Sequence, residues 1–201
     1  MLIGIAGAYG KLYGGPVIRD LLELYTTLVR AVPELVLILL LYFAGTDLIN
    51  RVLELAGYQR IDINGLVAGI WVLAFVQGAY STEVIRGAIL AIPQGQIEAA
   101  RAYGMAPGLM LRRITLPAML PFAIPGLANL WLIATKDTAL LAIVGFSELT
   151  QETRTAAGTT KAYFTFFFAA GVLYLLITLV SNVIIARIES WSRRGMPAGG
   201  H

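Results

Sequence analysis

Two long runs of the chain contain no charged side chain, and they constrain its fold more than any other feature. Residues 63–82 lie between Asp62 and Glu83, and residues 162–186 lie between Lys161 and Arg187. A helix needs roughly 20 apolar residues to cross the hydrocarbon core of a bilayer. The two runs therefore predict membrane-spanning helices at about 63–83 and 162–186.

The composition indicates the same class of protein. Of 201 residues, 58% are hydrophobic and only 13% are charged, whereas soluble domains carry about 25% charged residues. The net charge of +3 does not predict nucleic-acid binding, because the basic residues are dispersed between apolar runs. The chain has no cysteine, and its only histidine is His201, the last residue. Disulfides, and metal or catalytic sites built on histidine or cysteine, are therefore excluded.

A third span is predicted at 24–46, although it includes two charged residues. Arg30 and Glu34 are four residues apart, and Pro33 between them is expected to kink the helix. The sequence leaves two alternatives open for these charges: a pair within one helix, or a place along a polar pathway.

A fourth span follows the central charged region and can be placed in two ways. Residues 114–135 are uncharged, but Pro117, Pro121 and Pro125 recur within them. Because proline favours the first turn of a helix over its interior, we place this span at 125–145. Residues 135–138 then lie near the centre of the bilayer. The alternative places the proline-containing region in the membrane and residues 136–138 at its outer boundary.

The distribution of Lys and Arg predicts the orientation. Nine of them lie in segment 1–20, in the region 86–113 and in the C-terminal tail, against four in the loops 47–62 and 146–161. The first group, which includes the C-terminus, is therefore expected in the cytoplasm. The apolar stretch before Lys11 is too short to span, and we expect it to be the tail of a span whose beginning is missing.

Residues 98–117 read EAARAYGMAPGLMLRRITLP and combine a helix-favouring start with a glycine break. Its fixed spacing joins Glu98, Ala99, Ala100, Gly104, Ile114, Leu116 and Pro117. This pattern resembles the EAA signature of ABC importer permeases. The flanking sequence is similar to the polar amino-acid uptake branch, especially permeases for histidine, lysine, arginine, ornithine and opines.

The resemblance implies an all-α integral membrane protein, the transmembrane domain of a type I ABC importer, lacking the first of five family helices. The whole chain, 1–201, would form one permease domain. The seven signature residues would form a bent cytoplasmic element, with a second short helix beginning near Pro107, that couples to an ATPase subunit. No phosphate-binding loop occurs in the sequence. This chain is therefore expected to carry no cofactor and no enzyme activity, with ATP and magnesium bound by the partner ATPase.

A transport pathway should retain polar side chains inside the spans, because charges there usually face a bundle interior or a watery cavity. The candidates are Lys136, Asp137, Thr138, Arg30, Glu34, Tyr80 and Glu83. An amino acid brings both an ammonium and a carboxylate, so cationic and anionic side chains near one pocket suit it. The alternatives are that Lys136 extends to the outer interface and that Glu83 pairs locally with Arg86.

Four or five helices do not enclose a hydrophilic pathway, so the expected assembly is larger. It contains a second permease subunit, identical or paralogous, the ATPase, and a soluble solute-binding protein that contacts loops 47–62 and 146–161. The expected location is the bacterial inner membrane, with lipid and an amino-acid substrate as further partners. The alternative functions are an ion-coupled secondary transporter or channel subunit, and a membrane scaffold.

Overall fold

The computed structural model describes residues 1–61 and 65–194, and all regular elements within those ranges are helical. In chain order the α-helices are α1 (Leu2–Tyr13), α2 (Pro16–Ala31), α3 (Glu34–Leu55), α4 (Gly65–Leu90), α5 (Gln94–Ala102), α6 (Pro107–Met110), α7 (Leu116–Asp137), α8 (Leu149–Thr160) and α9 (Tyr163–Ser192). A π-helical segment, Leu111–Thr115, joins α6 to α7, and a 3₁₀ segment, Thr138–Val144, follows α7.

Four helical stretches in the described part of the chain are long and apolar enough to cross a membrane. They are Glu34–Leu55, Gly65–Leu90, Pro107–Val144 and Tyr163–Ser192. The uncharged runs at 63–82 and 162–186 fall on α4 and α9, although residues 63 and 64 lie outside the described residues. In α9 almost every apolar side chain is exposed and Ala170 alone is buried. So large an exposed apolar surface suits contact with lipid.

The interval 24–46 does not form one helix, so this predicted span is wrong in its boundaries. Helix α2 ends at Ala31, Val32 is extended (φ −98°, ψ 137°), and α3 begins after Pro33. Proline disfavours helical geometry in the residue before it and lacks an N–H group. Pro33 therefore breaks the helix instead of kinking it, and the long apolar helix starts at Glu34.

The predicted start of the fourth span at Pro125 is also wrong. Helix α7 begins at Leu116 and contains Pro121 and Pro125 in its interior, while Pro117 occupies its first turn. The preference of proline for a helix start holds here for Pro117. Helices surrounded by lipid and other helices tolerate interior prolines, and a π-helical segment, Leu111–Thr115, lies just before Pro117.

Helix α4 is the centre of the bundle. One apolar cluster joins it to α1 and α7 through Ala8, Ile85 and Met119. A second cluster joins it to α2 and α3, and a third joins it to α3 and the 3₁₀ segment after α7. Side chains anywhere along α4 are therefore positioned against several neighbouring elements at once.

Small residues allow the neighbours of α4 to approach its backbone closely. A Cβ atom added at Gly4 or Gly7 of α1 would collide with Ser81 or Thr82 of α4, and one added at Gly126 of α7 would lie 2.6 Å from Val84. Helices in membranes associate mainly through such close packing, because lipid removes the hydrophobic drive between them. The position of α1 thus depends on its glycines.

The substitution Gly7→Leu is expected to destabilise the bundle, because the larger side chain has no space between α1 and α4. Overpacking of this kind typically costs about 1–3 kcal/mol. Gly87→Leu is the matched control, since Gly87 lies on α4 with open space around it. Thermal unfolding of the purified chain in detergent should show a lower midpoint for Gly7→Leu only. Equal midpoints for the two variants would contradict this packing.

Candidate functional site

The signature residues lie in a bent segment between α4 and α7, which we call the elbow (residues 94–117). Helix α5 ends at Ala102, and Gly104 then adopts a left-handed conformation with φ +69°. The N–H of Met105 donates to the carbonyl of Ala100 at 3.1 Å, which closes the helix end. Pro107 then starts α6, as the sequence predicts.

The elbow has one face attached to the bundle and one face open. Ala100 is buried, and Ile97 and Leu116 pack against the cluster shared by α1, α4 and α7. On the open face, Tyr103 is 86% exposed. Glu98, Ala99 and Pro117 are also exposed, and Ile114 is half-buried. Movement applied to the open face would therefore pass directly to the bundle.

A groove of about 430 Å³ runs along the base of the elbow. Glu98 and Arg101 line it together with Tyr13 of α1 and Leu90 of α4. Glu98 is thus part of a groove surface on which charged and apolar side chains lie next to each other. That surface suits recognition by another protein more than it suits catalysis.

Most of the predicted pathway residues come together near the middle of α4. The Gln77 side-chain amide donates to the Asp137 carboxylate at 3.3 Å. The Tyr80 hydroxyl lies against the Glu34 carboxylate, and Asp137 also lies within electrostatic range of Glu34. Three chain segments therefore contribute polar groups to one place, which we call the polar cluster (Arg30, Glu34, Gln77, Tyr80 and Asp137).

Lys136, Thr138 and Arg30 have different surroundings within this region. Lys136 is exposed, whereas its neighbour Asp137 is half-buried, so the two adjacent charges face in different directions. The Thr138 hydroxyl donates to the Thr135 carbonyl at 2.8 Å. Arg30 is exposed and acts electrostatically on Tyr80. Because Pro33 separates α2 from α3, Arg30 and Glu34 do not share one helix face, contrary to the sequence expectation.

Glu83 lies about one helical turn beyond Tyr80 of the polar cluster and pairs with two cations. Its Oε2 accepts from Arg86 at 2.9 Å, which is the local pair considered as an alternative in the sequence. Its Oε1 lies 2.6 Å from Nζ of Lys11 on α1. Six residues of helix, ~9 Å, separate Glu83 from Gln77. A pathway role for Glu83 stays a prediction.

Sequence reasoning missed Gln77 and Lys11. Gln77 carries no charge, so a search for charges within spans passes over it, yet it is a polar residue in the middle of an apolar run. Lys11 lies in a segment too short to span. Its partners, 72 residues away in the case of Glu83, leave no local signal in the sequence.

The opposite end of the bundle carries α8, a helix in the interval 146–161 where the sequence suggested a loop. The Glu148 carboxylate accepts the N–H groups of Thr150 and Gln151 at 2.8 and 2.7 Å, and so caps this helix. The Tyr174 hydroxyl of α9 lies 3.3 Å from the same carboxylate. Interval 146–161 therefore presents a defined helical surface to any partner.

Polar side chains gathered beside the central helix of a membrane bundle, with a bent segment exposed at one end, are features expected of a transporter's membrane subunit. The family model described as "Binding-protein-dependent transport system inner membrane component" matches residues 1–194. The chain belongs to that family. It is thus a permease subunit of an ABC importer, and ATP hydrolysis resides in a separate subunit. These comparisons do not favour an ion-coupled transporter or channel.

Individual relatives share much of the sequence. The histidine/lysine/arginine/ornithine transport system permease protein HisQ of Escherichia coli (strain K12) is 42% identical over 189 residues, covering 94% of this chain and 83% of the relative. The nopaline transport system permease protein NocQ of Agrobacterium fabrum is 44% identical over 181 residues, covering 89% of this chain and 77% of the relative.

The fold has solved counterparts. The crystal structure of an amino acid ABC transporter with histidines matches with a TM-score of 0.77 and 28% identity, covering 94% of this chain and 83% of that one. The inward-facing MetNI methionine ABC transporter matches with a TM-score of 0.67 and 21% identity, covering 93% of this chain and 84% of that one. The second match concerns the fold alone.

The substitution Gly104→Ala is expected to loosen the end of α5. A side chain in the left-handed conformation costs about 1–2 kcal/mol, which corresponds to a factor of roughly 5–30 in a local opening equilibrium. Hydrogen exchange at the amides of residues 103–105 should accelerate by that factor. Gly108→Ala, in open space and without a left-handed φ, should leave the exchange unchanged. Unaltered exchange in Gly104→Ala would contradict the elbow geometry.

Proposed function

We propose that this permease imports a polar amino acid, with a basic amino acid or an opine as the preferred substrate, through the polar cluster. The observation that carries the proposal is the placement of two carboxylates, Glu34 and Asp137, beside Gln77 and Tyr80 at the middle of the central helix. The names of the relatives, which mention basic amino acids and nopaline, support the same substrate class.

The chemistry of the cluster suits a cationic solute. Glu34 and Asp137 lie within electrostatic range of each other, and a cation bound between two nearby carboxylates is attracted by both and relieves their mutual repulsion. A substrate ammonium or guanidinium could pair with both. Arg30, at the edge of the same cluster, could pair with the substrate carboxylate. Glutamine or another polar amino acid is the main competing substrate.

The elbow is the proposed contact with the ATPase subunit. Glu98, Ala99 and Tyr103 are exposed on its open face, while Ile97 and Leu116 attach its other face to the bundle. ATP and magnesium would be bound entirely by that partner. Closure of the ATPase around nucleotide would displace the elbow and bias the two states of the pathway.

The proposed orientation places the elbow and the C-terminus in the cytoplasm of a bacterial inner membrane, with α8 outside. A solute-binding protein would dock on α8 and on the interval 47–62. The sequence suggested a loop at 47–62, but residues 47–55 belong to α3, and beyond that helix the Ile61 N–H donates to the Asn50 side chain at 2.9 Å. A second permease subunit, identical or paralogous, would complete the pathway.

Reconstitution with the ATPase, the second permease subunit and the solute-binding protein tests this function. ATP hydrolysis in lipid vesicles should increase when arginine, histidine or an opine is supplied with the binding protein. Glutamine serves as the comparison substrate. Stimulation by glutamine alone would contradict the basic substrate class, and an absence of ATPase association would contradict the proposed elbow contact.

The substitution Asp137→Asn should impair uptake of a cationic amino acid, because it removes one of the two carboxylates while preserving the shape of the side chain. Loss of a hydrogen-bonded charge contact costs about 1.5–3 kcal/mol, so the apparent KM should rise at least tenfold. Asp20→Asn, at an exposed carboxylate near Arg19 and outside every proposed contact surface, is the control. Assembly with the ATPase should be normal in both variants. Unchanged uptake by Asp137→Asn would exclude this role.

A further inference from the structure

Lys11 is a buried cation that contacts two other helices at once. Its Nζ lies 2.6 Å from the Glu83 carboxylate of α4 and 2.7 Å from the Glu23 carboxylate of α2. It also donates to the Thr26 hydroxyl of α2 at 3.0 Å. The contacts with Thr26 and Glu83 are hydrogen bonds, and the contact with Glu23 is an ion pair. The Lys11 side chain is only 3% exposed.

The two carboxylates that hold Lys11 have different environments. Glu83 is 16% exposed and is fixed on its other oxygen by Arg86. Glu23 is 65% exposed. Exposed ion pairs contribute little to stability, whereas buried ones are hard to break. The ion pair of Lys11 with Glu83 on α4 is therefore the stronger of the two, and its ion pair with Glu23 on α2 is the weaker.

The two helices that Lys11 contacts, α4 and α2, connect to the elbow and to the polar cluster. Helix α4 leads directly into the elbow, and α2 leads directly into the break at Pro33. Part of the polar cluster depends on these two elements: Tyr80 lies on α4, Arg30 lies at the end of α2, and Glu34 follows the break at the start of α3. A displacement of α4 alone would pull these parts of the cluster apart.

We propose that Lys11 is a positioning residue for transport, which acts beside the apolar cluster that joins α2 to α4 and makes α2 follow α4 when the elbow is displaced. Glu83 ties Lys11 to the moving helix, and Glu23 with Thr26 transmits the movement to α2. Arg30 and Glu34 then stay opposite Tyr80 as the pathway changes state. This inference rests on the proposed function in one respect, namely that the ATPase acts on the elbow.

A purely structural role predicts a different result from a positioning role. If Lys11 only holds the bundle together, removing its partners should reduce the amount of assembled complex, and basal and stimulated ATP hydrolysis should fall in proportion. If Lys11 couples α2 to α4, the ratio of stimulated to basal hydrolysis should fall while the assembled complex remains.

The decisive substitution is Glu23→Gln in the reconstituted complex, because this exposed carboxylate contributes little to folding. Asp20→Asn is the matched control, since Asp20 lies on the same helix, is 73% exposed and, within residues 1–61 and 65–194, pairs with neighbouring Arg19. The stimulation ratio should fall about fivefold or more in Glu23→Gln, the lower end of ordinary coupling between sites, and stay unchanged in Asp20→Asn. In Lys11→Met the ratio of stimulated to basal hydrolysis should also fall, and in Lys11→Arg this ratio should stay unchanged. Equal ratios in Glu23→Gln and Asp20→Asn would overturn the inference.

A distance measurement decides the inference without any substrate. The chain has no cysteine, so spin labels can be attached to it specifically at Val17→Cys on α2 and Gly87→Cys on α4. With Lys11 present, the distance between labels in the assembled complex should be the same before and after trapping with ATP and vanadate. With Lys11→Met, it should change on trapping. An identical response in both backgrounds would overturn the positioning role, even if the assignment of a basic substrate failed separately.

Discussion

The close approach of α1 and α7 to α4 is the constraint on which the rest of the structure depends. Gly4 and Gly7 lie against Ser81 and Thr82, and Gly126 lies against Val84, so small side chains set the spacing on two sides of one helix. In lipid this packing replaces the hydrophobic drive that holds soluble cores together. Because α4 is held in this way, polar residues along it keep fixed positions relative to three or more other elements.

Two polar groups lie at different levels of α4, and they differ in how fully their bonds are used. Lys11 contacts oxygen atoms of Thr26, Glu23 and Glu83, and both oxygens of Glu83 are paired. A saturated network of this kind holds helices together and has no contact left for a ligand. In the polar cluster, by contrast, Asp137 accepts a long bond of 3.3 Å from Gln77 and lies within electrostatic range of a second carboxylate, Glu34. Such a site gains most from an incoming cation.

Local signals in the sequence predict much of the structure. Long uncharged runs predict the helical membrane class, the signature spacing predicts the elbow, and charges within spans predict most members of the polar cluster. The helix stop at Gly104 and the restart at Pro107 follow from single-residue conformational preferences. The start of α7 could not be read in the same way, since three prolines compete for one helix start and only packing selects Pro117. Lys11 was missed because its partners come from other helices.

The break at Pro33 explains why Arg30 and Glu34 do not neutralise each other. In a continuous helix these residues, four apart, would lie on one face and pair. In the structure Arg30 lies in the last turn of α2, and Glu34 lies in the first turn of α3. A cation is stabilised at a helix C-terminus and an anion at a helix N-terminus. Each charge is therefore stabilised by its own helix end, which leaves both available to a substrate that carries the opposite charges.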